Sequence, residues 1–90
     1  MNPTESFKQA CDAEETRFYY TITPVLYNGD LSYTVHEHMT VDVGLNTAPH
    51  TTANKPGLRS EIEAKKMVDH LRFVRRRFIE TTHKYGGMVL

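Results

Sequence analysis

Residues 18–39 read FYYTITPVLYNGDLSYTVHEHM and contain the strongest structural signal in the chain. Asn28-Gly29 accepts the positive φ angles of a two-residue type I′ turn, and apolar residues alternate with polar ones on both sides of it. We therefore predict an antiparallel β-hairpin with Asn28 and Gly29 as its loop. The resulting register pairs Leu26 with Leu31, Pro24 with Tyr33, Ile22 with Val35, Tyr20 with Glu37 and Phe18 with Met39.

This register gives the hairpin one apolar and one polar face, which a one-residue slip would exchange. Glu37 falls on the apolar face, where Tyr20 is placed to hydrogen-bond it; we favour a bulge that turns Glu37 outward over a role as general base. Pro24 cannot donate a ladder hydrogen bond, so its strand is predicted to be an edge strand or to carry a bulge. Alternation continues over residues 39–45, so the second strand is either long or broken near Glu37.

Weaker signals define the elements around residues 16–45, the predicted sheet region. Apolar residues at i, i+3, i+4 spacing after Pro3 predict a short amphipathic helix over 3–15. Residues 46–59 are polar, contain two prolines and have no apolar periodicity, so we expect a loop. Ser60-Glu61-Ile62-Glu63 has the pattern of a capping box and predicts a helix over 60–83, followed by a tail or short strand over 84–90.

Together these elements predict a small single α+β domain, residues 1–90, with the element order α-β-β-α. An antiparallel hairpin or three-stranded sheet packs against the long C-terminal helix. The helix presents one apolar stripe to the sheet, formed by Ala64, Met67, Val68, Leu71, Val74, Phe78 and Ile79. A chain of 90 residues of which 39% are apolar is large enough for one small core.

Composition excludes several classes of protein. The single cysteine, Cys11, rules out an intramolecular disulfide framework and a Cys-based zinc site, and we interpret it as a small buried side chain in a protein of a reducing compartment. No apolar run resembles a signal peptide or a membrane span, so a cytoplasmic protein without membrane contact is expected. Eleven basic and eleven acidic residues cancel, but residues 1–57 hold three basic and seven acidic side chains and residues 58–90 eight and four.

Catalytic signatures do not occur in the sequence. It has no Walker loop and no G-x-G-x-x-G, and no pair of carboxylates stands out as a candidate for acid–base work, so we predict a protein that is not an enzyme and has no cofactor. His36 and His38 lie two residues apart on one strand face, which is the spacing of a His-x-His metal pair. No third ligand accompanies them in the sequence, and we favour exposed strand histidines over a small metalloprotein.

Two predicted surfaces carry candidate binding residues. Ile62 and Phe73 lie nearly opposite the core stripe of the helix. Either a loop folds back over both residues and hides them, or Phe73, among its neighbouring arginines, is an interface anchor. Tyr19 and Tyr27 place aromatic rings on the polar face of the hairpin. The predicted protein-binding residues are Tyr19, Tyr27, Ile62, Arg72, Phe73, Arg76 and Arg77.

A basic ridge on the same helix offers a different function. Lys65, Arg72 and Arg76 align on the helical wheel and could bind the phosphates of a nucleic acid. Asp69 and Glu80 interrupt this ridge, and ordinary ion pairs with these two carboxylates are the competing interpretation. Because the net charge is also zero, a nucleic-acid-binding module is the alternative and not the first hypothesis.

The function that these features favour is a non-enzymatic, protein-binding regulator or inhibitor that acts stoichiometrically on a larger protein complex. The features that support it are surfaces and not pockets. By analogy of size and layout alone, inhibitors encoded by phages or mobile elements are built at this scale. Exposed apolar residues also leave room for a homodimer.

Overall fold

The computed structural model describes residues 2–85. The chain forms α1 (Pro3–Glu15), β1 (Phe18–Tyr27), β2 (Asp30–Val43), β3 (Asn46–Leu58) and α2 (Glu61–Lys84). The three strands make one antiparallel sheet in the order β1-β2-β3, which confirms the α+β prediction with one strand more than the order α-β-β-α. Residues 86–90, the rest of the predicted tail or strand, lie outside the described residues.

The predicted register of the first hairpin is confirmed throughout, from Phe18↔Met39 to Tyr27↔Asp30. Asn28 and Gly29 have φ angles of 51° and 82°, as a type I′ turn requires. In such a hairpin the residues that flank the loop form a hydrogen-bonded pair, so the even-numbered residues of β1 direct their backbone groups away from β2. The backbone nitrogen of Pro24, which carries no hydrogen, therefore lies on the free edge of β1. Because it is not needed for pairing, β1 pairs with β2 without a bulge.

The prediction of a loop over 46–59 is wrong, because β3 pairs antiparallel with β2 from Val43↔Asn46 to Tyr33↔Leu58. A two-residue connection, Gly44-Leu45, joins the strands, and the φ angle of 64° at Gly44 is the one that a type II′ turn needs at its first position. β3 tolerates its two prolines because it is an edge strand, and two register shifts interrupt its pairing.

The long helix begins directly after Ser60, the residue that the sequence predicted as its N-cap. The Ser60 hydroxyl accepts a hydrogen bond from the backbone N–H of Glu63 at 3.1 Å. The Glu63 carboxylate accepts one from the backbone N–H of Arg59 at 2.8 Å, and not from that of Ser60 as a standard capping box would have it. In the described part of the chain, neither helix combines the length and the apolar character that a bilayer span requires.

The core lies between α2 and the apolar face of the sheet. Its buried members are Val35, Ala64, Val68 and Leu71, with Tyr20, Ile22, Tyr33, Leu58 and Met67 packed around them. Two residues of the predicted apolar stripe are not buried in this core, since Val74 is 48% and Phe78 57% exposed. They line a cleft whose β3 wall is formed by Ala53 and Lys55, side chains that are too short or too polar to cover them.

Two ends of the molecule are organised differently. At one end α1 packs on the C-terminal half of α2, and Cys11 of α1 and Ile79 of α2 are both buried, which confirms both the short helix and the buried cysteine. At the other end residues 24–31, which we call the hairpin tip, are exposed on both faces of the sheet. The sheet is therefore covered by helices over only part of its length.

Candidate functional site

An ion pair between a buried carboxylate and a partly buried guanidinium lies between the sheet and α2. Nη2 of Arg75 donates to Oε1 of Glu37 at 2.6 Å, and Nε donates to Oε2 at 3.3 Å. The Tyr20 hydroxyl donates to Oε2 at 2.8 Å and the Thr52 hydroxyl to Oε1 at 2.7 Å. Glu37 is only 2% exposed, so the prediction that a bulge turns it outward is wrong. Its inward position is possible because these donors replace the water that burial removes.

These contacts control the ionisation of the cluster. Burial raises the pKa of Glu37, but the hydrogen bonds from Arg75, Thr52 and Tyr20 outweigh burial and hold this pKa below its ordinary value. Burial and the hydrogen bond to Glu37 together raise the pKa of Tyr20. Since each carboxylate oxygen already accepts two hydrogen bonds, Glu37 is poorly suited to remove a proton from a substrate. We interpret the cluster as structural.

The histidines of the predicted metal pair lie on the sheet face that α2 does not cover. Their ring centroids are 5.8 Å apart. His38 stacks on Tyr19, and its Nε2 and Nδ1 lie 2.8 Å and 3.2 Å from the hydroxyls of Thr21 and Thr51. Nδ1 of His36 lies 2.5 Å from Oδ1 of Asn54. Both rings thus have partners within the sheet, and residues 2–85 contain no group of three His, Cys, Asp or Glu side chains arranged to hold a metal ion.

Arg76, predicted to bind a partner, joins the two helices. Its Nη1 lies 2.7 Å from a carboxylate oxygen of Asp12 and 2.7 Å from one of Glu15, and its Nε lies 3.8 Å from Glu80. A further contact at 2.5 Å links His83 of α2 to Glu14 of α1. The hydrogen bond from Arg76 is the main reason why the pKa of Asp12 is lowered. The acidic N-terminal helix and the basic C-terminal helix therefore neutralise part of each other's charge.

The structure distributes the other predicted binding residues over three places. Phe73 and Ile62 are exposed on the outer side of α2, about 16 Å apart along the helix axis. Tyr27 belongs to the hairpin tip, and Tyr19 lies beside His38 on the uncovered sheet face. Arg72, Arg77 and Lys65 are exposed on α2. These residues do not form one continuous patch.

A feature that the sequence reasoning missed is a groove between α2 and β1, which we call the edge groove. It consists of three adjoining clefts of about 290, 420 and 330 Å³. The first two share Tyr20 and Arg72, and the second and third share Ile22 and Lys65. The only sequence signal for it was the edge position that Pro24 predicted for β1. The depth of the groove depends on where α2 crosses the sheet.

The chain matches no protein-family model, no curated protein sequence and no solved structure. Functional assignment therefore depends on the chemistry of its own surfaces.

Proposed function

We propose that the protein is a non-enzymatic protein-binding module that acts stoichiometrically on a larger protein or protein complex. The observation that carries this proposal is an excess of exposed apolar surface. In the described part of the chain, only six hydrophobic residues are buried, whereas twelve large hydrophobic residues are exposed. The exposed ones are Tyr19, Val25, Leu26, Tyr27, Leu31, Val43, Leu45, Ile62, Phe73, Val74, Phe78 and Tyr85.

The hairpin tip holds the densest group of these side chains. Leu26 is 72% exposed, Tyr27 74% and Leu31 50%, and the register places Leu26 directly opposite Leu31. Apolar surface of this kind favours contact with another molecule, because burying it releases water. Tyrosine is also enriched among the residues that contribute most to binding energy. The tip is therefore the first surface at which we expect a partner.

Charge gives less support to nucleic-acid binding. Two of the arginines on α2, Arg75 and Arg76, are engaged with carboxylates of the chain itself. Of the predicted phosphate-binding ridge, Lys65 and Arg72 remain available, with Asp69 beside them. A ridge of two cations on a chain of zero net charge favours a protein partner over a polyanion.

The size of the chain and its exposed surfaces fit an inhibitor or regulator in particular. Such a protein needs no catalytic group, since it acts by covering a surface of its target. An origin in a phage or mobile element and a cytoplasmic location are part of the same proposal, supported by size and by the single buried cysteine.

Affinity capture followed by reconstitution tests the proposal. The tagged protein is incubated with nuclease-treated lysate of the source cells, the captured protein is identified and produced separately, and its Kd is measured by titration. Tyr27→Ala is expected to weaken binding about 30-fold, as for an interface residue worth 2 kcal/mol. Phe73→Ala tests the outer side of α2 in the same way.

Leu45→Ala is the matched control, because it removes an apolar side chain that is even more exposed than Tyr27 and lies at the opposite end of the sheet. We expect it to leave Kd unchanged. Capture of nucleic acid alone, or a captured protein that shows no binding in the titration, would refute the proposal. Binding that neither Tyr27→Ala nor Phe73→Ala affects would mean that the partner does not bind at the hairpin tip or at the outer side of α2.

A further inference from the structure

The edge groove follows a strand whose outer edge is unpaired. β1 is the edge of the sheet, and no described element pairs with its free side. Because the hairpin turn fixes which residues bond to β2, the backbone groups of Phe18, Tyr20 and Ile22 point toward the groove. Unpaired N–H and C=O groups of this kind are a template for a further strand. Pro24 lacks the N–H and limits that template to about five residues, or roughly 17 Å.

The other edge of the sheet is less suitable for the same purpose. β3 contains Pro49 and Pro56, and its pairing with β2 shifts register twice. Prolines and bulges are devices that prevent edge-to-edge pairing. β1 has one proline, and it lies toward the hairpin tip, so residues 18–22 are the uninterrupted edge.

The residues that line the edge groove determine which side chains a strand bound there should carry. Tyr20 and Ile22 form an apolar floor, and Val68 of α2 lies beside them. Lys65 and Arg72 stand on the α2 wall of this middle section with one carboxylate, Asp69. The sequence allowed ion pairs of Lys65 and Arg72 with Asp69, but residues 2–85 do not form them. Arg72 lies instead over the ring of Tyr20, 5.4 Å from its centroid.

At the end of the groove next to α1, most of the charged side chains that line the groove are already paired within the chain. Asp12 and Glu15 line it, but both carboxylates are paired with Arg76. Arg75, which also lines this end, is paired with Glu37. Among the described residues, the groove cations that are in no ion pair are therefore Lys65 and Arg72 of the middle section, so a carboxylate on the bound segment is best placed there.

We propose that the edge groove binds an extended segment of the partner protein, which adds to the sheet as a fourth strand beside β1. Alternate side chains of this segment face the groove: apolar ones contact Tyr20 and Ile22, and an acidic one contacts Lys65 and Arg72. Main-chain hydrogen bonds to β1 give affinity, and the groove gives selectivity. This inference deepens the proposed function, on which it rests, by naming the site and the chemistry of the partner segment.

Nuclear magnetic resonance on the full ¹⁵N-labelled chain tests this binding mode. The probe is the peptide acetyl-Thr-Val-Thr-Glu-Thr-Val-Thr-amide, whose two Val and one Glu face the same side of an extended strand. We expect the largest amide shifts at Tyr20 and Ile22, whose N–H groups face the groove. Thr21, which is hydrogen-bonded to β2, should shift much less. The same peptide with Lys in place of Glu should bind about two- to fivefold more weakly, as expected for the loss of one exposed charge contact.

Two neighbouring lysines provide a matched pair of variants. Lys65 lines the edge groove, whereas Lys66 lies about 100° further round the helix. Lys65→Glu should reverse the preference between the Glu and Lys peptides, and Lys66→Glu should leave it unchanged. Both substitutions are at exposed helix positions, so both variants should remain folded.

The outcomes separate this inference from the proposed function. Equal shifts at Thr21 and Tyr20, no binding of either peptide, or equal effects of the two lysine variants would overturn the groove assignment. If the captured partner still binds Lys65→Glu and Arg72→Glu with wild-type affinity, the protein-binding function stands and the groove is not its site. If the amides of Tyr20 and Ile22 shift with protein concentration alone, the occupant is a second copy of this chain and the partner-strand inference is wrong.

Discussion

The covered part of the sheet and the hairpin tip share one strand pair but have different surroundings. Beneath α2, Val35 is fully buried and Glu37 is held by three donors from other elements. Only a few residues away, Leu26 and Leu31 face each other in the same register and are both exposed. The same alternation thus builds a core where a helix lies on it and a binding surface where none does.

The largest effect that distinguishes these regions should come from the ion pair between Arg75 and the buried Glu37. Arg75→Met leaves the Glu37 carboxylate buried without its cation, which should lower the free energy of unfolding by about 3 kcal/mol. Urea denaturation followed by circular dichroism measures the change. Arg77→Met, at an exposed position of the same helix, is the control and should have little effect. Equal losses in the two variants would show that the Glu37–Arg75 pair does not stabilise the fold.

A pair of valines on β2 tests burial directly. Val35 and Val43 lie on the same face of the same strand, but Val35 is fully buried and Val43 is 60% exposed. We expect Val35→Ala to cost about 2 kcal/mol, because it removes two methyl groups from the core and leaves a cavity. Val43→Ala should change stability by less than about 0.5 kcal/mol. A similar cost for both would mean that the far end of the sheet is also covered in solution.

The pH dependence of stability should reflect the ionised state of Glu37. Its pKa is lower in the folded chain than its ordinary value, so its contribution to stability is complete above that ordinary value, about 4.3. As the pH falls further and passes through the lowered pKa, the contribution is lost. Urea titrations between pH 6 and pH 3 should therefore show a smaller decrease for Glu37→Gln than for the wild type. An identical decrease would indicate that Glu37 does not contribute.

The smallest of these effects concerns the attachment of α1. Arg76→Gln removes the cation that Asp12 and Glu15 share, and α1 should then separate from α2 more often. Since Cys11 is a fully buried residue of α1, its thiol should react with a disulfide reagent about tenfold faster in this variant than in the wild type. Unchanged reactivity would mean that apolar contacts alone hold α1 in place.

The predictable parts of this molecule were those with strong local signals. Asn28-Gly29 defined the first hairpin and its register, and Ser60 defined the start of α2. The strand β3 was missed because its residues are polar and lack alternation, so its stability comes from pairing with β2 more than from burying side chains. The Gly44-Leu45 pair was the one local signal that could have revealed it, since glycine in the first loop position is typical of a type II′ hairpin.

The candidate sites also divide into features that the sequence could predict and features that it could not. The sequence placed Tyr27, Phe73 and Ile62 on faces that were predicted to be exposed to solvent, and all three side chains are exposed in the structure. It could not show that Arg76 is paired with α1, because helical periodicity describes only one helix and not its neighbour. The edge groove was missed for the same reason, as its two walls come from different elements.

Sequence alone determined the two helices, the first hairpin with its register, and the burial of Cys11. These depend on turn chemistry, capping and periodicity, which act between residues a few positions apart or directly opposite in a hairpin. Only the tertiary structure decided the inward position of Glu37, whose cation is 38 residues away, and the opening of a groove beside β1. Such features depend on how distant segments pack, and the energy of those contacts is not encoded in any one local pattern.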